Sequence, residues 1–280
     1  MNVVKMLPGH GWVTGVTCTG DELFVLYQRQ KKEQVEVYST KTSDDFRRLR
    51  FLSFEGLAKH RHNDITSFVQ GKCVRLYISD HENRCIHKSA LDGKVTDKWP
   101  VFNKPCGLSL TTNNNLLVTC YNYGEEIGEL VEFSGESGEC IRRVDLDQSI
   151  AGRVYHAVEL HGDGPSPTLH YVFSQSYDGD ARSKVSVIDA DGQVSLNYEN
   201  YADAARKLVL ARHLAVDRHN FVFVADREGG RRNTGVVLLS PGLQFVRRIE
   251  LEEAPTRLYL DHVTRRLYVG QLGGVTVVQV

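Results

Sequence analysis

The chain has 280 residues, of which 41% are hydrophobic and 25% are charged, and its formal net charge is −1 at pH 7. This composition is ordinary for a globular protein, and the near-zero charge gives no overall argument for nucleic-acid binding. No apolar run approaches the ~18–20 residues that cross a membrane, and the N-terminus lacks the apolar core and cleavage pattern of a signal peptide. The cysteines form no CxxC pair and fall mostly within predicted strands, so we expect buried thiols in a reducing compartment and a cytoplasmic location.

The predicted strands form a repeating unit that follows one N-terminal strand, residues 2–7 (NVVKML). In each unit an apolar inner strand is followed by a second strand such as RLYISD, a third such as CIHKSA and, in all units but the last, a fourth such as VTDKWPV. Four antiparallel strands repeated every roughly 40–50 residues are typical of propeller blades. The sequence therefore predicts an all-β, six-bladed β-propeller that forms a single domain over residues 1–280. The predicted blades cover residues 12–53, 62–101, 104–146, 154–200, 211–251 and 255–280.

The last unit lacks a fourth strand after its third strand, VTVVQV. An open ring would leave that apolar strand as an edge, and such edges pair with other chains. Residues 2–7 have the length and character of the missing strand. We therefore expect the N-terminal strand to complete the last blade and close the ring.

Several acidic and basic motifs are interpreted as structural. Asp80 and Asp226 each end a second strand, and their recurrence at equivalent places favours turn residues that accept backbone N–H groups. Residues 189–192 (DADG) resemble the start of a calcium loop, but no glutamate stands at the twelfth position, so we predict a hairpin turn. The arginine pairs of the fourth strands are interpreted as protection of exposed edges.

The stretches LYISDHENRCIHKSALDG, PCGLSL, RHLAVDRHNFVFVAD and PTRLYLDHVTRRLYVG resemble NHL-repeat propellers, most closely those at the C-terminal end of TRIM-type proteins. The similarity spans nearly the whole chain and is sharp in blades two, three, five and six, whereas blades one and four depart from it by insertion. The resemblance implies a cytoplasmic recognition module that binds protein or RNA on one face of the ring. No RING or B-box cysteine-histidine cluster is present, so any ligase activity would reside elsewhere.

Six-bladed propellers of the gluconolactonase, paraoxonase and amidating-lyase kinds also resemble the chain in architecture, and they hold a divalent ion at the central channel. Here the positions two residues before each apolar inner-strand position include one histidine and no carboxylate, although Asp64 lies one place further on. His60 and His62 have no acidic or cysteine partner at a recognisable spacing, and no HExxH, GxSxG, P-loop or EF-hand motif occurs. We therefore expect no metal, no cofactor and no catalytic residue, and we interpret the chain as not being an enzyme. The six positions are Thr14, Asn63, Cys106, His156, Arg212 and Thr256.

One group of loops, on blades four to six, combines an excess of cations with a nearby aromatic ring. We predict a binding site there, formed by Tyr155, Tyr177, Arg182, Arg212, Arg227, Arg231, Arg232 and Arg257. The main hypothesis is a monomeric, non-catalytic recognition or scaffold propeller that binds a protein partner through one loop face, as in the substrate-recognition module of a TRIM-like ubiquitin ligase. An RNA-binding NHL domain that uses a basic loop face is the alternative. A metal-dependent propeller hydrolase or lyase is the second alternative.

Overall fold

The computed structural model describes residues 2–9, 11–28, 34–41, 45–58, 60–71, 73–122, 127–146, 152–162, 169–176, 183–199, 206–227 and 234–280. Within these ranges the regular secondary structure is all β. None of the described residues belongs to a helix that could span a membrane. The strands form six antiparallel sheets of four strands each, in a ring, and this confirms the predicted six-bladed β-propeller.

Each of the first three blades runs outward from the channel in chain order. Blade one contains β2 (Trp12–Thr19), β3 (Glu22–Gln28), β4 (Gln34–Ser39) and β5 (Arg48–Leu52). Blade two contains β6 (Ile65–Gln70), β7 (Cys73–Asp80), β8 (Cys85–Ser89) and β9 (Val95–Pro100). Blade three contains β10 (Lys104–Leu110), β11 (Leu116–Asn122), β12 (Ile127–Phe133) and β13 (Cys140–Asp145).

The other three blades repeat the arrangement, except that the last takes its outer strand from the N-terminus. Blade four contains β14 (Arg153–Glu159), β15 (His170–Ser176), β16 (Ser183–Asp189) and β17 (Val194–Tyr198). Blade five contains β18 (Ala211–Val216), β19 (Val222–Asp226), β20 (Gly235–Leu239) and β21 (Phe245–Glu250). Blade six contains β22 (Arg257–Asp261), β23 (Arg266–Gln271), β24 (Gly274–Gln279) and β1 (Asn2–Pro8).

The ring closes as the sequence predicts. β1 pairs antiparallel with β24, so that Leu7 stands opposite Val275 and Pro8 opposite Gly274. Leu7 is buried in the cluster between blades six and one, which adds side-chain packing to the backbone ladder. The apolar edge of the last blade is thereby covered by the chain itself.

The core lies between the blades rather than at the centre of the ring. Among the described residues, six hydrophobic clusters each fill the space between two neighbouring blades. The second strands supply much of this core because both of their faces are covered, as the fully buried run of residues 23–27 shows. Burying a Phe or Leu side chain contributes about 1.5–3 kcal/mol, so the interblade packing supplies the main stabilisation.

The turn aspartates behave as predicted. The Asp80 carboxylate accepts the backbone N–H groups of Ala58 (3.0 Å) and Asn83 (3.1 Å). Asp226 accepts those of Val209 (2.9 Å) and Leu210 (3.0 Å). Both residues therefore anchor the loop that precedes the inner strand of their own blade. The predicted hairpin turn at residues 189–192 is also confirmed, since the Asp189 carboxylate accepts the N–H of residue 191 and Gly192 has a φ of 84°.

Four inner strands contain a β-bulge near their N-terminal ends. In blades one, three, four and five the pairing with the second strand skips one residue of the inner strand. Bulges bend a strand and re-aim its side chains, and they are common at the rims of sites. The bulged residues are Thr14, Cys106, Tyr155 and Arg212.

Neighbouring blades hold these bulges in place. The Thr119 hydroxyl donates to the carbonyl of the bulged Tyr155 (3.0 Å), and the Thr256 hydroxyl donates to the carbonyl of Val13 (2.7 Å). Gly107 allows the close approach, because a Cβ there would lie 2.5 Å from the Tyr155 carbonyl oxygen. Within the described residues, irregular inner-strand backbone held by the neighbouring blades therefore forms part of one mouth of the channel.

Candidate active site

The residue that follows each bulge, or its counterpart in blades two and six, lines one layer of the central channel. The strand pairing makes these positions equivalent, one from each blade. Two glycines leave room for the other four side chains, which contact one another across the ring. The positions are Gly15, Asp64, Gly107, His156, His213 and Arg257.

This layer corrects the sequence-based choice of channel residues. That choice took His156 in blade four but the residue one place before the layer in the other five blades. In blades one, three and five this earlier residue is the bulged one, which the pairing with the second strand skips. Asp64 is therefore not an isolated carboxylate, because it lies among His156, His213 and Arg257.

Asp64 is the centre of a saturated hydrogen-bond network. One carboxylate oxygen accepts the backbone N–H of Leu108 (3.0 Å) and the Nε2–H of His213 (3.1 Å), and the other accepts the N–H of Ile65 (2.9 Å). The Nε of Arg257 lies 3.5 Å from that second oxygen. Although burial opposes ionisation, the contacts with His213 and the charge of Arg257 lower the pKa of Asp64. Asp64 is thus the buried anion that balances Arg257.

The two channel histidines are locked as neutral tautomers. The backbone N–H of Leu214 donates to the Nδ1 of His156, and that of Leu258 donates to the Nδ1 of His213, both at 3.3 Å. A backbone N–H can only donate, so each Nδ1 carries a lone pair and each Nε2 carries the proton. The Nε2–H of His156 donates to the Leu108 carbonyl (3.1 Å). Burial lowers the pKa of both imidazoles, which keeps them uncharged.

These tautomers do not fit a metal centre, although ligand atoms of Asp64, His156 and His213 lie within 4.8 Å of one another. A metal binds the lone pair of an imidazole nitrogen while the other nitrogen donates its proton outward, which is the reverse of the arrangement here. The Arg257 guanidinium also already lies beside the only carboxylate of the group. The residues therefore do not fit the divalent ion that the architectural resemblance to propeller hydrolases and lyases implies.

Two other groups have the composition of metal sites, and most of their ligand atoms already have partners, although the buried Nδ1 of His87 has none among the described residues. His60 accepts the N–H of residue 62 at Nδ1, and its Nε2 faces the Glu82 carboxylate at 3.2 Å. Glu82 is further paired with Lys104 at 3.3 Å. In blade two, Asp80 accepts four hydrogen bonds, including one from His87 Nε2 at 3.0 Å. Both groups join loops and strands to one another, which is a structural role.

His62 differs from all of these histidines. It lies at the mouth, 3% exposed, with its ring against Tyr155 (5.9 Å between centroids) and against His81 (5.1 Å). No described residue forms a hydrogen bond with either of its ring nitrogens. Burial, followed by the positive charge of Arg212, lowers the pKa of His62 far below its ordinary value. His62 is therefore a neutral imidazole with a nitrogen available for proton transfer.

A pocket lined by four arginines adjoins His62. Arg212 lies over the face of Tyr155 (4.3 Å to the ring centroid), and Arg227 lies over Trp12 (4.3 Å). Burial and neighbouring charges, those of the other arginines among them, lower the pKa of Arg212 to about 10. The guanidinium groups of the four arginines therefore lie close together around one cavity. The lining residues are Trp12, Val13, Arg61, Arg212, Arg227, Thr256 and Arg257.

The structure brings together half of the predicted binding residues. Tyr155, Arg212, Arg227 and Arg257 meet at the mouth, on the face predicted for them. Tyr177, Arg182, Arg231 and Arg232 lie outside the described residues. The predicted binding site left out Trp12 and Arg61, and His62 was considered only as half of a metal pair. All three lie near the start of an inner strand, as Arg212 does, and that common position was the available signal.

No protein family and no curated protein matches this sequence. A gluconolactonase from Xanthomonas campestris has a similar structure, with a TM-score of 0.66 and 15% identity over 95% of this chain and 85% of that chain. A putative gluconolactonase matches with a TM-score of 0.65 and 14% identity over 98% and 90%. A catalytically inactive virginiamycin B lyase from Staphylococcus aureus, solved with quinupristin, matches with a TM-score of 0.60 and 9% identity over 99% and 98%. At these identities the likeness establishes the propeller fold.

These matches overturn two predictions, the non-catalytic recognition propeller and the statement that the chain is not an enzyme. The proteins that share its fold over nearly the whole length are named as a gluconolactonase, a putative gluconolactonase and a lyase. That is the kind of protein described by the second alternative.

Proposed function

We propose that this propeller is a hydrolase or lyase that acts on an anionic substrate at the mouth of the channel, with His62 as the residue that moves a proton. The observation that carries the proposal is that, among the described residues, the ring nitrogens of His62 have no hydrogen-bond partner and the nearby Arg212 and Arg227 have no ion-pair partner. Both histidines of the channel layer, His156 and His213, use both ring nitrogens in hydrogen bonds of the fold. The names of the gluconolactonase, the putative gluconolactonase and the lyase that share this fold support an enzymatic assignment.

The chemistry needs a base and a stabilised anion. A neutral His62 can accept a proton from water, which then attacks an ester or lactone carbonyl, or from a carbon beside a carbonyl, which leads to elimination. In both reactions negative charge develops on an oxygen, and fixed guanidinium groups such as those of Arg212 and Arg257 stabilise it. After the reaction the imidazolium returns its proton to the leaving group. No step of this proposal passes through a metal.

A panel of lactones, carboxylic esters and β-elimination substrates, each in an anionic and a neutral form, tests the proposal. Proton release identifies hydrolysis, and the absorbance of a new conjugated double bond identifies elimination. The variant His62→Ala should lose about 10²–10⁴-fold in kcat on any substrate that turns over, which is the usual contribution of a general base. His219→Ala is the matched control, because His219 is exposed on a turn at the other end of its inner strand.

Wild-type activity in His62→Ala, with the protein folded, would remove His62 from the mechanism. The absence of turnover on the whole panel would count against the enzymatic assignment itself. The NHL-repeat resemblance, the cytoplasmic location and the monomeric state stay predictions of the sequence, and the proposal depends on none of them.

A further inference from the structure

The arginine pocket at the mouth is small. Its cavity is ≈ 20 Å³, which has room for one or two water-sized atoms, since a single water needs about 10–15 Å³. Trp12 and Thr256 form part of its wall. The cavity therefore has room for a compact group with two oxygen atoms but not for a bulky group.

The charge of the pocket is unbalanced within the described part of the chain. Arg61, Arg212 and Arg227 form no ion pair with any described residue, and Arg257 alone has a carboxylate nearby, that of Asp64. Neighbouring arginines lower the pKa of Arg212 in addition to the effect of burial. Like charges this close are costly unless an anion joins them.

The pocket also has an unused donor. Among the described residues, the Nε–H of Arg212 is buried without a hydrogen-bond acceptor, whereas the Nε–H of Arg257 faces the Asp64 carboxylate at 3.5 Å. The terminal nitrogens of Arg257 are held by the carbonyl groups of Thr256 (2.8 Å) and Asn63 (3.1 Å), which fixes its orientation. Arg257 is only 6% exposed. A buried donor without an acceptor costs free energy that a bound oxyanion would recover.

We propose that this arginine pocket binds a carboxylate group of the substrate. The inference rests on the proposed function and names the substrate class, a carboxylate-bearing lactone, ester or elimination substrate. A carboxylate has two oxygens for the available space, and its planar shape suits paired N–H donors of guanidinium groups. The guanidinium groups of Arg227 and Arg212 lie over the rings of Trp12 and Tyr155, respectively, so both cations are already oriented before a ligand binds.

Binding of the carboxylate would also prepare the base. The charges of Arg212 and Arg257 are among the causes that lower the pKa of His62. A carboxylate carries one negative charge against four guanidinium groups, so it offsets part of their charge and raises the pKa of His62 in the complex, while burial, the largest cause of the lowered pKa, remains. A substrate without the carboxylate would therefore bind weakly and meet a poorer base.

The fluorescence of Trp12 gives a direct test that needs no turnover. The chain has two tryptophans, so Trp99→Phe leaves Trp12, in contact with Arg227, as the reporter. Chloride is replaced stepwise by acetate at constant ionic strength, with acetamide and inorganic phosphate as parallel probes. Acetate should produce a saturable change, and acetamide, which has the same shape without the charge, should produce none.

Variants locate the site. Arg212→Gln and Arg227→Gln should each weaken acetate binding by about tenfold or more, because hydrogen bonds to charged groups are lost. If Arg212→Gln does not fold, Arg61→Gln replaces it as the test variant, because the Arg61 side chain is exposed. Arg265→Gln is the matched control, since Arg265 is exposed on a turn at the other end of blade six, and it should bind acetate as well as the parent.

Three results would overturn the proposal: no response to acetate beyond that to chloride, an equal response to acetamide, or tighter binding of phosphate than of acetate. The two proposals fail separately. Acetate binding without turnover on any substrate would leave the pocket intact and defeat the proposed enzyme. Turnover that depends on His62, without acetate binding, would support the proposed enzyme and defeat the carboxylate site.

Discussion

His213 and His62 are both buried, both neutral and both near the axis of the ring, yet their surroundings differ. His213 accepts a backbone N–H from the next blade and donates to Asp64, so both nitrogens are used. His62 has ring neighbours but no hydrogen-bond partner among the described residues. The comparison shows that hydrogen-bond saturation, rather than burial or residue type, separates a histidine that holds the blades together from one that is available for chemistry.

The largest expected effect is on the anion at the centre of the saturated network. Asp64→Ala should lower the free energy of unfolding by about 3–5 kcal/mol, because Arg257 would stay buried without its counter-charge. Asp191→Ala, on an exposed hairpin, should change stability by less than about 0.5 kcal/mol. Urea unfolding measures both. Equal midpoints for Asp64→Ala and the parent would show that the channel layer is not a structural network.

The second prediction compares the two histidines directly. His213→Ala leaves the Leu258 N–H and one Asp64 interaction without a partner, so it should destabilise by about 1–3 kcal/mol more than His62→Ala does. Among the described residues, His62→Ala removes no side-chain hydrogen bond. Thermal and urea unfolding of the two variants at pH 7 give the difference. A larger loss for His62→Ala would contradict the division between structural and chemical histidines.

The third prediction uses pH. In the folded state burial lowers the pKa of His62, His156 and His213, and of His81 to about 4, whereas a histidine in an unfolded chain titrates near 6.5. As the pH falls through about 6.5, the unfolded chain therefore binds protons that the folded chain does not. Stability should fall with decreasing pH, by up to about 1.4 kcal/mol per pH unit for each such histidine.

Unfolding by urea at half-unit steps from pH 7 to pH 5 measures this slope. His62→Ala should reduce the slope of the unfolding free energy against pH by the contribution of one histidine, because it removes one group whose pKa is lowered in the folded state. A stability that is constant from pH 7 to pH 5 in the parent would mean that these imidazoles ionise inside the fold.

The smallest expected effect is that of metal removal. Because the Nε2 atoms of His156 and His213 carry protons, treatment with a chelator should leave the melting temperature and any activity on the substrate panel unchanged. Re-addition of Mg²⁺, Ca²⁺ or Zn²⁺ should likewise have no effect. A clear drop in melting temperature on chelation would assign the opposite tautomers and restore a metal among Asp64, His156 and His213.

The architecture can be predicted from the amino-acid sequence alone. Alternating apolar strands at a regular interval require a ring of blades, and the unpaired strand NVVKML matches the missing edge of the last blade. The turn roles of Asp80 and Asp226 were also readable, because the same residue recurs at the same place in the unit. These features depend on local periodicity, which a sequence displays directly.

The site was decided by tertiary structure. Asp64 and His213 are 149 residues apart, and their contact exists only because the ring brings blades two and five to one axis. The bulges shift the inner strands by one residue, so the alternation that reveals a strand does not reveal which of its residues faces the channel. Whether a histidine is saturated depends on N–H groups of the next blade, which no local pattern records.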